Sequence, residues 1–288
     1  MIQVSNITKS FKIYKSARDS HHRLRSLLAR DCEIKRAVDN ISFSIDEGEM
    51  VGYVGPNGAG KSTFSKLLNG LNKPTQGTVT VAGLDTKKAR TSALARKVGF
   101  LFQNPDRQLC RNTVRDELLF GLELCLTDKA DIQVRLDKTL ADFHLDPDLN
   151  PLTASRGERQ RVALASLMAL TPELLILDEP TTGLDWRECM HTMELVSALN
   201  AQGTTVFMVS HDMEIVRDFA KRVLVLHDGK LSADGTPHEV LRRPDLLEEA
   251  ALLPPQIMQL SLALGSDYDG IDTCEEMTQF LVERRQSK

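Results

Sequence analysis

The sequence predicts an α/β fold organised around a mostly parallel sheet, and three observations carry that prediction. Short, largely apolar runs recur at residues 50–54, 98–102, 174–177, 204–210 and 223–226. Segments of helical periodicity lie between them, the order expected of parallel strands joined by crossover helices. A glycine-rich loop, Gly55-Pro56-Asn57-Gly58-Ala59-Gly60-Lys61-Ser62-Thr63, follows the first run and opens a helical pattern at Phe64, Leu67 and Leu68. The adjacent carboxylates Asp178 and Glu179 end the run at 174–177, at the sheet edge where α/β proteins hold their ligands.

The loop fits G-x-x-x-x-G-K-[ST] at every fixed position. Its glycines let the backbone curl so that several N–H groups converge on phosphate oxygens at the positive end of the following helix. Lys61 has the reach to meet β- and γ-phosphates, and the Ser62 hydroxyl is placed for Mg²⁺. The expected ligand is a nucleoside triphosphate.

Taken in order, Ile2, Val4 and Ile7 open a β-like segment. From about residue 12 to 36 basic residues dominate, with a narrow stripe of Leu24, Leu27 and Leu28 suited to a short helix. That insertion reads either as a solvated surface or as a contact with a partner protein or anionic lipid. Strand alternation resumes at Val38, Ile41, Phe43 and Ile45, and Asp46-Glu47-Gly48-Glu49 turns into the loop's own strand. Thr78 to Ala82 is a β-branched strand between turns at 73–77 and 83–85. Residues 113 to about 141 form a helical region, and Ser155 is placed to cap a helix over 158–170. Past Pro237 the pattern is helical, broken at Pro254-Pro255.

Composition sets bounds. The 288 residues hold one large domain with an appendage or two small ones, and 41% hydrophobic content supports a core. No apolar run reaches the ~18 residues of a membrane span, and the first residues lack a secretory apolar core. A net charge of −4 argues against bulk nucleic-acid binding. The five cysteines are scattered without a C-x-x-C pair, so reduced thiols are expected.

Together these landmarks resemble the ATP-binding-cassette family over nearly the whole chain. The phosphate loop is followed by a Q-loop at Leu101-Phe102-Gln103-Asn104-Pro105 and a signature region at Ala154-Ser155-Arg156-Gly157-Glu158. Asp178-Glu179, a D-loop at Gly183-Leu184-Asp185 and a switch histidine, His211, complete the series. The resemblance implies a phosphate-loop ATPase domain at 1–243, with an antiparallel β-subdomain, the basic insertion and a helical subdomain at about 104–170. A C-terminal helical extension at 244–288 would serve dimerisation or assembly.

The resemblance also implies roles. Ser62, Asp178 and Gln103 would serve Mg²⁺, Glu179 would polarise the attacking water, and His211 would contact the γ-phosphate. Positioning and charge stabilisation account for most phosphoryl-transfer catalysis, so these polar groups suffice without a covalent nucleophile. Phe11 is the first candidate to stack on adenine and Tyr14 the second. Ser155, Arg156, Gly157 and Glu158 would cover a nucleotide held by a second cassette, identical or paralogous, with Asp185 in the D-loop. The signature departs from the usual Leu-Ser-Gly-Gly-Gln: Arg156 replaces a glycine and Glu158 an amide. The site it completes is expected to be the weaker of two.

Residues 102–108, 113–117 and 120–123, with Leu253-Pro254-Pro255-Gln256-Ile257-Met258-Gln259-Leu260, resemble ATPase subunits of energy-coupling factor transporters. Such subunits lie on the cytoplasmic membrane face and grip a transmembrane coupling protein that works with a substrate-binding membrane component. The cargo is a vitamin or metal ion, and no nucleic acid is involved. The basic insertion instead resembles cassettes of polysaccharide exporters, so an exporter subunit is the alternative. A soluble cassette acting on ribosomes or DNA is a more distant one.

Overall fold

The computed structural model describes residues 1–14 and 32–286. In chain order they form β1 (Ile2–Tyr14), β2 (Cys32–Ile45), β3 (Met50–Val54), α1 (Lys61–Leu68), β4 (Gln76–Val81), β5 (Leu84–Asp85), α2 (Thr91–Ala95) and β6 (Val98–Leu101). After a short 3-10 turn at Pro105–Arg107 come α3 (Val114–Cys125), α4 (Lys129–Asp142), α5 (Arg156–Met168), β7 (Leu174–Asp178), α6 (Trp186–Ala201) and β8 (Thr205–Val209). The remainder is α7 (Met213–Phe219), β9 (Arg222–His227), β10 (Lys230–Gly235), α8 (Pro237–Leu241), α9 (Pro244–Glu249), α10 (Gln256–Leu264) and α11 (Cys274–Gln286).

Two sheets result. The order β10-β9-β3-β8-β7-β6 is parallel except at its β10–β9 edge. The order β2-β1-β4-β5 is antiparallel. Strands β3, β7 and β8 are buried along their whole length, which is why they read as unbroken apolar runs rather than alternating ones. Alternate residues serve opposite faces. Val51 and Tyr53 pack with Phe64, Leu67 and the antiparallel sheet, whereas Met50 and Val54 face the cluster shared by the helices.

Two sequence expectations are corrected and one is subdivided. The basic stretch at 12–36 is strand at both ends: Lys12 pairs with Ile34 and Tyr14 with Cys32. A ladder joins backbone groups whatever the side chains carry, and residues 33–36 are exposed, so their charge costs nothing there. The apolar stripe at Leu24, Leu27 and Leu28 lies outside the described residues. The helical region at 113–141 is two helices, because Leu126 is extended and Asp128 caps α4 by accepting from Ala130 N at 2.9 Å. The expected turn at 83–85 shrinks to Ala82-Gly83, both at positive φ, and Leu84 pairs back with Val81.

The C-terminal helices are fastened to the rest of the chain. Met258 is fully buried in the helical core cluster. Arg242 donates to Asp272 at 2.7 Å and Asp269 at 2.8 Å, and Arg217 donates to the Asp272 carbonyl at 3.0 Å. Residues of the extension are therefore part of the monomer's own packing.

Candidate nucleotide site

Neighbouring strands deliver the site to one sheet edge. The C-terminal ends of β3, β8, β7 and β6 carry the phosphate loop, His211, Asp178-Glu179 and Gln103 respectively. The loop's close packing demands its glycines. Gly60 has φ +107°, and a Cβ there would meet the Ala37 carbonyl oxygen at 2.0 Å. With Gly60 as its N-terminal cap and no capping side chain, α1 leaves its first N–H groups free for an anion. Lys61 is buried and donates to the carbonyls of Gly55 and, at 3.0 Å, Pro56. Burial lowers its pKa, while Glu179 and Asp178 pull it back up.

Asp178 is buried at the end of β7, and burial raises its carboxyl above the usual range. A hydrogen bond from Ser62 opposes that rise, Glu179 adds to it, and Lys66 and Lys61 oppose it again. A hydroxyl paired with a buried carboxylate is a set of hard oxygen donors, which fits Mg²⁺.

Glu179 is gripped on several sides. Its backbone N–H donates to Val209 O at 2.9 Å, and its own φ is +56°, a left-handed conformation unusual for a glutamate. Gln103 Nε2 donates to Glu179 Oε2 at 2.9 Å, and Thr182 Oγ1 to the same oxygen at 3.3 Å. His211 Nδ1 lies 3.4 Å from Glu179 Oε1, with the imidazole otherwise open to solvent. A carboxylate so oriented is able to accept a proton from a water held beyond it. Sequence reasoning missed Thr182 and Lys66, whose positions matter only once β7 and α1 are side by side.

Phe11 is 39% exposed and borders the phosphate-loop cleft with Lys35, Pro56, Gly58 and Thr63, while Lys9 Nζ sits 5.0 Å from its ring centroid. The side chain of Tyr14 lies outside the described set. Ser155 caps α5 in a reciprocal box: Glu158 N donates to Ser155 Oγ at 3.2 Å, and Ser155 N to Glu158 Oε2 at 2.9 Å. Glu158 is thus occupied by its own helix, and these bonds hold its carboxyl below the usual range. Asp185 caps α6 in the same way with Glu188.

Arg156 occupies the first turn of α5 and is not among the residues at positive φ, so the side chain is accommodated without backbone strain. Its stem lies along the D-loop, where a Cβ at Gly183 would come within 3.0 Å of Arg156 Cδ. It also lines a cavity of about 440 Å³ with Ser62, Lys66, Gln103 and Asp178. Ser155, Gly157, Glu158 and Asp185 line neither this cavity nor the phosphate-loop cleft. Within one chain, Arg156 alone of the four signature residues reaches the cavity beside Ser62 and Asp178, and Asp185 of the D-loop lines neither space.

Fold and site together define a phosphate-loop nucleotide-binding domain. The family model for ABC transporter matches residues 38–182, and the chain belongs to that family. A relative from Methanothermobacter thermautotrophicus, an energy-coupling factor transporter ATP-binding protein (EcfA), is 40% identical over 228 residues, covering 78% of this chain and 73% of that protein. A dimeric ATP-binding cassette in a post-hydrolysis state bound to ADP and Pi superposes with TM-score 0.70 at 28% identity, covering 82% of this chain and 99% of that one. The structure of cbiO1 from Clostridium perfringens, part of the ABC transporter complex cbiONQ, gives TM-score 0.69 at 27% identity, covering 90% and 97%. The chain spans between 43% and 45% of the length of the first three curated relatives it matches. Among the described residues no helix is long and apolar enough to cross a membrane.

Proposed function

We propose that this chain is the ATP-hydrolysing subunit of a membrane transporter of the energy-coupling factor kind, held at the cytoplasmic membrane face by other chains. The observation that carries the hydrolytic reading is Glu179, fixed by Gln103 and Thr182 and faced by His211 at the mouth of the phosphate-loop cleft. The names of the EcfA relative and of cbiO1 support the transporter type. Partners on this reading are a second cassette, a transmembrane coupling protein and a substrate-binding membrane component, and the cargo is a vitamin or metal ion.

In this reading Lys61 and the loop amides bind the triphosphate, Glu179 takes the proton of the attacking water, and His211 steadies the γ-phosphate. Ser62 would hold Mg²⁺ directly, Asp178 through water and Gln103 by its amide oxygen. When bound, the ion neutralises charge between the phosphates. The test is copurification of the chain from its native membrane: integral-membrane proteins should accompany it, and the isolated complex should hydrolyse ATP. A chain that sediments with ribosomes and without membrane proteins would sink the transporter reading.

Two substitutions probe the assigned contacts. Stacking of a base on an aromatic ring is worth about 1–3 kcal/mol, so Phe11→Ala should weaken ATP binding about tenfold. Affinity for inorganic triphosphate should stay unchanged, and an equal loss for both ligands would remove Phe11 from the adenine site. In the signature, Arg156→Gly should raise ATP turnover by releasing the stem from Gly183 and freeing the segment to close. Unaltered turnover would show that Arg156 does not weaken the site.

A further inference from the structure

The far end of the β1–β2 ladder stands apart from the rest of its sheet. Strand β4 pairs with β1 only from Ile2 to Thr8, whereas β2 follows β1 out to the Tyr14–Cys32 pair. Beyond Ser10 the described residues of these two strands have no third strand beside them. A two-stranded ribbon of this kind is marginal in water unless something covers it. Apolar side chains stand open along it: Ile13 is 47% exposed and Ile34 62%. Partners across an antiparallel ladder share a face, so Lys12, Ile34 and Arg36 lie on one face and Phe11, Ile13 and Lys35 on the other. Phe11 and Lys35 border the phosphate-loop cleft, and the opposite face lines a separate hollow.

That hollow measures about 730 Å³ and is lined by Lys12, Ile34 and Arg36, with hydroxyls from Thr8, Ser10 and Thr75. Arg36 meets Asp39 at 3.2 Å, but the arginine side chain is 64% exposed and an exposed pair of this kind is weak. Two cations, several hydroxyls and one aliphatic side chain around a concavity suit a phosphate ester with hydrocarbon beside it. The surrounding sequence tilts the charge further. Residues 12–36 hold eight Lys or Arg against three Asp or Glu, a surplus of five in a chain of net charge −4, so everything else sums to −9. An anionic surface attracts the cationic end of such a molecule and repels the remainder, which orients it. Between the two cations of this face stands an isoleucine, not a ring on which a base could stack.

We propose that this outer face of the ribbon docks on an anionic lipid bilayer, with a headgroup phosphate between Lys12 and Arg36 and Ile34 entering the interface beside it. The inference rests on the proposed membrane location for its setting, and adds to it a contact made by this chain itself. A basic residue near such a surface contributes about fivefold in affinity, and a buried aliphatic side chain adds to that. Phe11 faces the other way, so lipid and nucleotide do not compete for the ribbon.

The test sediments the full chain with unilamellar vesicles of phosphatidylcholine, with and without phosphatidylglycerol. Partition onto the anionic vesicles should exceed that onto the neutral ones about tenfold or more, and should fall as salt is raised. Lys12→Gln combined with Arg36→Gln should lower the anionic partition about tenfold or more, while Lys12→Arg combined with Arg36→Lys keeps it. Ile34→Asp should lower it as well, and Ile34→Leu should not. ATP affinity should be unaltered in every variant, since none of the three residues lines the phosphate-loop cleft. If the double glutamine variant loses ATP affinity and hence its fold, the contrast between Ile34→Asp and Ile34→Leu decides. Equal partition onto both kinds of vesicle, or anionic partition that these substitutions leave unchanged, would overturn the inference. So would retention on duplex DNA without retention on vesicles. The transporter reading is decided separately, by the integral-membrane proteins that copurify with the chain.

Discussion

Glu179→Gln should cut steady-state ATP hydrolysis by about 10²–10⁴-fold, the usual contribution of a positioned general base, while ATP is still bound. The amide is nearly isosteric, so the partners of Glu179 change little: Gln103 and Thr182 still have an oxygen to donate to. What disappears is the ability to take a proton from water. On the proposed reading triphosphate binding relies on Lys61 and the loop, whose own hydrogen bonds the change leaves in place. The bound nucleotide should then be retained unhydrolysed, and a pair of cassettes should accumulate. Phosphate release assays and sedimentation with ATP measure the two halves of this expectation. Undiminished hydrolysis would show that the base lies elsewhere, despite the convergence of Gln103, Thr182 and His211 on this one carboxylate.

Lys61→Ala should weaken ATP binding about a hundredfold. A hydrogen bond to a charged group contributes about 1.5–3 kcal/mol, and every 1.4 kcal/mol is a factor of ten in affinity. Without ligand the ammonium is held by the Gly55 and Pro56 carbonyls within the loop, already close to where phosphate oxygens would converge. It is buried and attracted by both Glu179 and Asp178, so its removal takes one cation from that carboxylate pair and leaves Lys66 acting on Asp178. Calorimetric titration with ATP measures the loss, and circular dichroism checks that the fold survives. Near-normal affinity would contradict the placement of the triphosphate in this loop.

The two expectations differ in how far each was legible before the structure. Lys61 sits inside a contiguous stretch whose residue types already state their use: glycines for curvature, lysine for phosphate, serine for the metal. The strands that read as apolar runs are also local facts, since a strand buried on both faces has no polar positions to betray its register. The cap at Ser155 belongs to the same class, because a side chain and an amide three residues apart need nothing from the rest of the chain, whereas Asp185, read only as part of the D-loop, caps α6 in the structure. Less was legible where pairing is distant. The β1–β2 ladder runs through residues whose charge suggested a surface insertion, because the partner that makes a strand lies outside the stretch being read.

The sequence by itself determined a phosphate loop between strand and helix, a carboxylate pair at a strand end, and a helix capped at Ser155. Those features depend on chain neighbours, whose geometry is set by φ, ψ and hydrogen bonds over a few residues. Only the tertiary structure decided that Gln103, Thr182 and His211 meet at Glu179. The physical reason is strand order. With β8 lying between β3 and β7, and β6 outside β7, residues 103, 179 and 211 end on one sheet edge, and the backbone pairing that sets this order is invisible in any single segment.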